Sequence, residues 1–194
     1  MLAAAELARF VDAGVGCVFL VAAAAKAREP GQLVPFLTQT GFSHSRARRI
    51  AAVTPAAEAL VGILLVAGLV PVAATAAAAM LAVAFAVLQV RFLRASPGTS
   101  GCRCFGSLDV TAPPIVAALR ALGFAAAAVG SAVTAPASIL PLVDRPHLTE
   151  ATAFGCLAGA TYVMAFALMA QVVAFERWRP RVPASLPSPR AEEV

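Results

Sequence analysis

Long apolar stretches recur along this chain, and they limit its folds more than any other feature. A helix crossing about 30 Å of hydrocarbon needs about 20 residues, because each residue advances it by about 1.5 Å. Stretches that meet or approach this length run from about Leu7 to Ala27, Ala51 to Leu69, Val72 to Leu93, Pro114 to Ala135 and Ala151 to Phe175. The second and third lie so close together that Gly68 to Pro71 must form a tight hairpin. Composition agrees, with 60% of the 194 residues apolar, 13% charged and a mean hydropathy of +0.84. Soluble domains are about 45–50% apolar and about 25% charged. Disorder, collagen and a secreted disulfide scaffold are excluded on the same grounds. The expected architecture is all-α: a polytopic membrane bundle of about five transmembrane helices over residues 1–178, followed by a disordered, proline-rich tail over 179–194.

The net charge of +5 and a pI near 9.7 do not point to nucleic acid, because no arginine-rich face with interleaved aromatics lies outside the apolar runs. The charges read instead as topology signals, and the expected partner is the lipid bilayer. Arg9 and Arg145 fall on one side. Lys26, Arg28, Arg46, Arg48, Arg49, Arg91, Arg94, Arg103 and the arginines after the fifth span fall on the other. The positive-inside rule then puts the N-terminus outside and the C-terminus in the cytoplasm. Glu6 and Asp12 outweigh Arg9 near the start, which argues for an uncleaved first span rather than a signal peptide. A re-entrant segment at Leu33 to Phe42 would change this count. The small pair Gly155 and Gly159 reads as core packing rather than a dimer interface.

Chemistry concentrates in the linker between spans three and four, which reads Ser100-Gly101-Cys102-Arg103-Cys104-Phe105-Gly106-Ser107-Leu108-Asp109. Two cysteines one residue apart can close a small, strained and easily reduced ring, and the flanking glycines free the backbone to form it. Arg103 between the sulfurs favours the reactive thiolate. These are the properties of a redox pair. A Cu(I) site on two thiolates, or idle loop thiols, are the competing readings. A zinc site lacks ligands, since His44 and His147 fall on opposite faces of the membrane. Cys17 and Cys156 lie within spans, where cysteine behaves as a small apolar residue, although a second pair that relays electrons is conceivable.

Ionisable groups inside hydrocarbon cost several kcal/mol unless paired or wet, so each one marks a candidate site. Glu58 in span two and Arg120 in span four reach nearly the same depth from the cytoplasmic end. Lys26, Gln89 and Gln171 close spans one, three and five on that side. A buried polar pocket under the Cys102/Cys104 loop is expected, with Glu58 compensating Arg120 or Lys26. Lys26 taken alone is expected to snorkel toward the headgroups. Asp12, near the opposite end, is expected to face water. No haem-binding histidine pair, phosphate loop or Ser/His/Asp set is present in the sequence. No cofactor is identified, and a quinone or Cu(I) stays open.

These motifs resemble the methylamine utilisation protein MauE family, itself similar to DoxX-like membrane proteins. The resemblance rests on Lys26, Pro30, Phe36 and Gly41, on Glu58, and on Gln89 ahead of Cys102-Arg103-Cys104-Phe105-Gly106. It covers roughly residues 7 to 135 and implies a four-helix core plus one helix. It also implies a membrane protein of methylamine metabolism that helps mature a disulfide-rich dehydrogenase subunit beside a thioredoxin-like partner, with Cys102 and Cys104 as the exchange pair. The alternative it allows is a non-enzymatic membrane subunit or scaffold. Maturation of an exported enzyme wants the thiols outside, whereas the charge tally puts the loop inside.

Overall fold

The computed structural model describes residues 2–95, 114–134 and 146–178. Helix α1 (Leu2–Arg28) leads through a 3-10 turn (Pro30–Gln32) into the short α2 (Leu33–Gln39). Helices α3 (His44–Ala67), α4 (Pro71–Ala95), α5 (Pro114–Thr134) and α6 (Pro146–Trp178) follow. All secondary structure among the described residues is helical, and α1, α3, α4 and α5 are long and apolar enough to cross a membrane. Helix α6 covers the fifth expected span as one continuous helix of 33 residues. The tail expected over 179–194 lies outside the described residues.

Contacts between helix ends fix their directions. Arg9 of α1 meets the last carbonyls of α3 and Thr152 near the start of α6, while Asp12 meets Ser131 near the end of α5. At the other end, Phe92 of α4 and Ala117 of α5 share a cluster with Leu33, Phe36 and Leu37 of α2. Helices α1, α4 and α6 therefore run one way, and α3 and α5 return.

Helix α1 lies at the centre, packed chiefly on α6 and α3 and also on α5, while α4 leans mainly on α5. The α1–α6 crossing is tight enough that a Cβ on Gly155 would collide with the Phe10 carbonyl oxygen, and one on Gly159 with that of Gly14. The Gly155/Gly159 pair thus packs within the chain, as expected. Lipid gives helices no hydrophobic reason to associate, so close backbone approach and the dispersion it brings take over that role. Along α4 the residues Ala74, Ala78, Ala82, Ala86, Gln89 and Phe92, three or four apart, form the buried stripe.

The α3–α4 hairpin takes its expected form. Gly68 ends α3 at φ +68°, its N–H bonds the Leu65 carbonyl, and the Leu69 N–H bonds the Leu64 carbonyl. This is the paired carbonyl capping of a left-handed helix end. Pro71 then opens α4, where its missing N–H costs nothing.

Two features depart from the hydropathy pattern. Helix α3 starts at His44, about two turns before the apolar run, because Arg46, Arg48 and Arg49 stay exposed while Ala47 and Ala51 pack inward. The candidate re-entrant stretch forms α2, seven residues that are too short to cross and lie over the bundle end. The ring of Phe36 sits 5.1 Å from that of Phe92.

Candidate functional site

Glu58 and Lys26 meet inside the bundle. Lys26 Nζ donates to Glu58 Oε1 at 2.5 Å, with the two side chains only 4% and 1% exposed. Lys26 Nζ also lies 4.9 Å from the ring centre of Phe85 on α4, a cation–π contact. Lys26 is thus a base that compensates Glu58. The snorkelling expected of Lys26 does not occur. After Arg28 the chain turns back through the 3-10 turn and α2 across the end of the bundle, and Glu58 stands within reach on α3. A buried charge with a carboxylate at hand pairs rather than stretching toward the headgroups.

Glu58 of this pair lines a partly open cleft between α1, α3, α4 and α5. Phe19, Phe85 and Phe124 give it aromatic walls, and Ala22, Ala82 and Ala117 leave it room. Glu58 and Arg120 supply its polar lining. Glu58 Oε2 is buried and has no hydrogen-bond partner among the described residues. Gln89, one turn beyond Phe85 on α4, is fully buried. Glu58, Lys26, Arg120 and Gln89 are thus gathered in one half of the bundle. Gln171 lies on α6, where only its backbone is described.

Cys102 and Cys104 fall between α4 and α5, outside the described residues. What is described are the two helix ends that flank them. The α4 end carries Phe92, the α5 start carries Ala117, and both join the α2 cluster on the Lys26 side. No group of three or more His, Cys, Asp or Glu able to hold a metal exists among the described residues.

The family model of the methylamine utilisation protein MauE matches residues 4–134, more than half of the chain. This chain belongs to the MauE family. No curated protein and no solved structure matches it. Within the MauE segment lie α1 to α5, the Lys26–Glu58 pair, the cleft and both loop cysteines, whereas α6 lies beyond it.

This MauE-family chain carries a second polar cluster at its opposite end. Arg9 donates from Nη1 to the Leu65 carbonyl at 2.6 Å, from Nη2 to the Val66 carbonyl, and from Nε to Thr152 Oγ1 at 2.9 Å. Asp12 accepts a 2.5 Å hydrogen bond from Ser131 Oγ. Asp12, expected to face water, is half-buried and also bonded by a hydroxyl that folding brings to it from α5. Arg9 and Asp12, three residues apart and hence on one helix face, were the signal available in the sequence.

Proposed function

We propose that this chain carries out thiol–disulfide exchange at the membrane through Cys102 and Cys104, acting with a thioredoxin-like partner in a methylamine-linked pathway. The observation that supports it is a shared location. The ends of α4 and α5 that bracket the cysteines are tied to the Lys26 end of the bundle, and α5 runs from there to Arg120, across the cleft from Glu58. An exchange loop needs firm anchors and nearby positive charge, and this end has both.

In the exchange, the Cys102 thiolate attacks one sulfur of the partner's disulfide, and the other partner sulfur leaves as a thiolate. The Cys104 thiolate then attacks Cys102 Sγ, closing the Cys102–Cys104 bond and releasing the second partner thiolate. Two electrons pass to the partner, and the reverse steps restore the dithiol when the partner arrives reduced. Arg103 favours the attacking thiolate. The Lys26–Glu58 pair positions α1 against α3 at the end of the bundle where α4 ends and α5 begins.

The positive-inside tally puts the loop on the cytoplasmic face, so the exchange draws on a cytosolic dithiol. Labelling of Cys102 and Cys104 by an impermeant thiol reagent in intact cells should fail; rapid labelling would reverse the orientation. Cys104→Ser should accumulate a mixed disulfide through Cys102 that dissolves on reduction. If neither single cysteine variant forms a mixed species and both stay active, the chain is a membrane subunit that merely positions a partner. Co-purification of that partner would then survive loss of both cysteines.

A further inference from the structure

Two more thiols meet inside the bundle, away from the loop. Cys17 of α1 and Cys156 of α6 are both half-buried and both free. Both stand at the close contact of α1 with α6. Cys156 Sγ also lies 3.9 Å from the Ala13 carbonyl oxygen, one turn before Cys17. The backbone explains this intimacy. Gly14, Gly155 and Gly159 let α1 and α6 touch, and Cys17 Cβ lies 3.2 Å from where a Cβ on Gly159 would stand. Such glycine-mediated contact is what a disulfide between two helices requires, since the bond tolerates Cα separations of only about 4.4–6.8 Å.

A single cysteine in a span is a small apolar filler, but two at one helix contact form a dithiol. We propose that Cys17 and Cys156 are a membrane-embedded redox pair that closes reversibly into a disulfide bracing α6 against α1. The pair is independent of the loop cysteines, and Cys156 lies outside the segment matched by the MauE family. Its co-substrates are small, lipid-soluble disulfides. One thiol loses its proton and attacks such a disulfide, expelling one small thiol and leaving a mixed disulfide. The second protein thiol then displaces the other small thiol. The protein gives up two electrons and two protons, and the small disulfide ends as two thiols.

The brace reaches the cleft. Val163 of α6 packs against Val18 and Ala22, and Tyr162 stands edge-on to Phe124 with ring centres 5.7 Å apart. Val18, Ala22 and Phe124 line the cleft beside Glu58. Closing the pair fixes α6 behind that wall, and opening it releases the wall.

The test uses the full chain carrying Cys102→Ser and Cys104→Ser, in lipid, treated with dithiodipyridine. This permeant disulfide leaves a pyridyl group on an isolated thiol and releases thiopyridone. The proposal predicts two thiopyridones released per chain and an intact mass lower by two hydrogens, with no pyridyl group retained. Adding Cys17→Ser should leave one pyridyl group, on Cys156. Two pyridyl groups retained on the chain with both thiols, or reaction only after denaturation, would overturn the proposal.

Discussion

At one end of the bundle a guanidinium is met by the carbonyls that terminate a helix, while at the other an ammonium is met by a carboxylate from a neighbouring helix. Arg9 takes up the Leu65 and Val66 carbonyls in the last turn of α3, the first of which also accepts from the Gly68 N–H, and ties them to Thr152 on α6. Each of its nitrogens has an oxygen, so the cluster is a fastening. Lys26 satisfies only one oxygen of Glu58 among the described residues, and the other is buried without a hydrogen-bond partner in a side chain that lines a cleft with Arg120. A fastening closes on itself, whereas a site leaves something unspent. This difference is the reason to look for chemistry at the Lys26 end.

The largest effect expected from this contrast is at Glu58. Glu58→Leu strands a buried ammonium, and breaking such a pair costs about 3–5 kcal/mol. Thermal unfolding in detergent should show that loss, with most of it recovered in the Lys26→Met/Glu58→Leu double variant. A double variant as unstable as the single one would mean that the pair does not set the stability of this end.

Arg9→Ala comes next, at about 2 kcal/mol, for the charged hydrogen bonds and the helix-end interaction together. Arg9→Lys should recover less than half of that in denaturant titration, because a single ammonium cannot span two carbonyls and a hydroxyl. Gly68→Ala should cost about 1–2 kcal/mol from the left-handed backbone alone. The added methyl would also stand 3.0 Å from the Arg9 guanidinium, so combining it with Arg9→Ala should be less than additive. Ser131→Ala should be the mildest, at roughly 0.6 kcal/mol, the average for an interhelical hydrogen bond in a membrane. A larger loss there, seen by the same titration, would make Asp12 a structural rival to Arg9.

What the sequence made legible follows from what lipid forbids. The long helices could be read because the bilayer permits few other forms for so many apolar residues, and the hairpin because Gly68 and Pro71 punctuate it. Glu58 could be singled out because a carboxylate inside an apolar run has few tolerable surroundings. The fate of Lys26 could not, since it depends on α2 folding across the bundle end, and seven residues of mixed character carry no periodic signal. The bond of Asp12 to Ser131 could not be read either, because Ser131 is 119 residues away in the chain. The start of α3 was misplaced because exposed arginines mask the buried Ala47 and Ala51 between and beyond them.

The most direct test of the exchange reading is a redox titration of Cys102 and Cys104 in membranes, with Cys17 and Cys156 replaced by serine and the bond state read by mass after acid trapping. The account predicts that the pair converts from dithiol to disulfide across a range of reduced-to-oxidised glutathione ratios, and returns when the ratio is reversed. A pair that stays in one state at every ratio would contradict it.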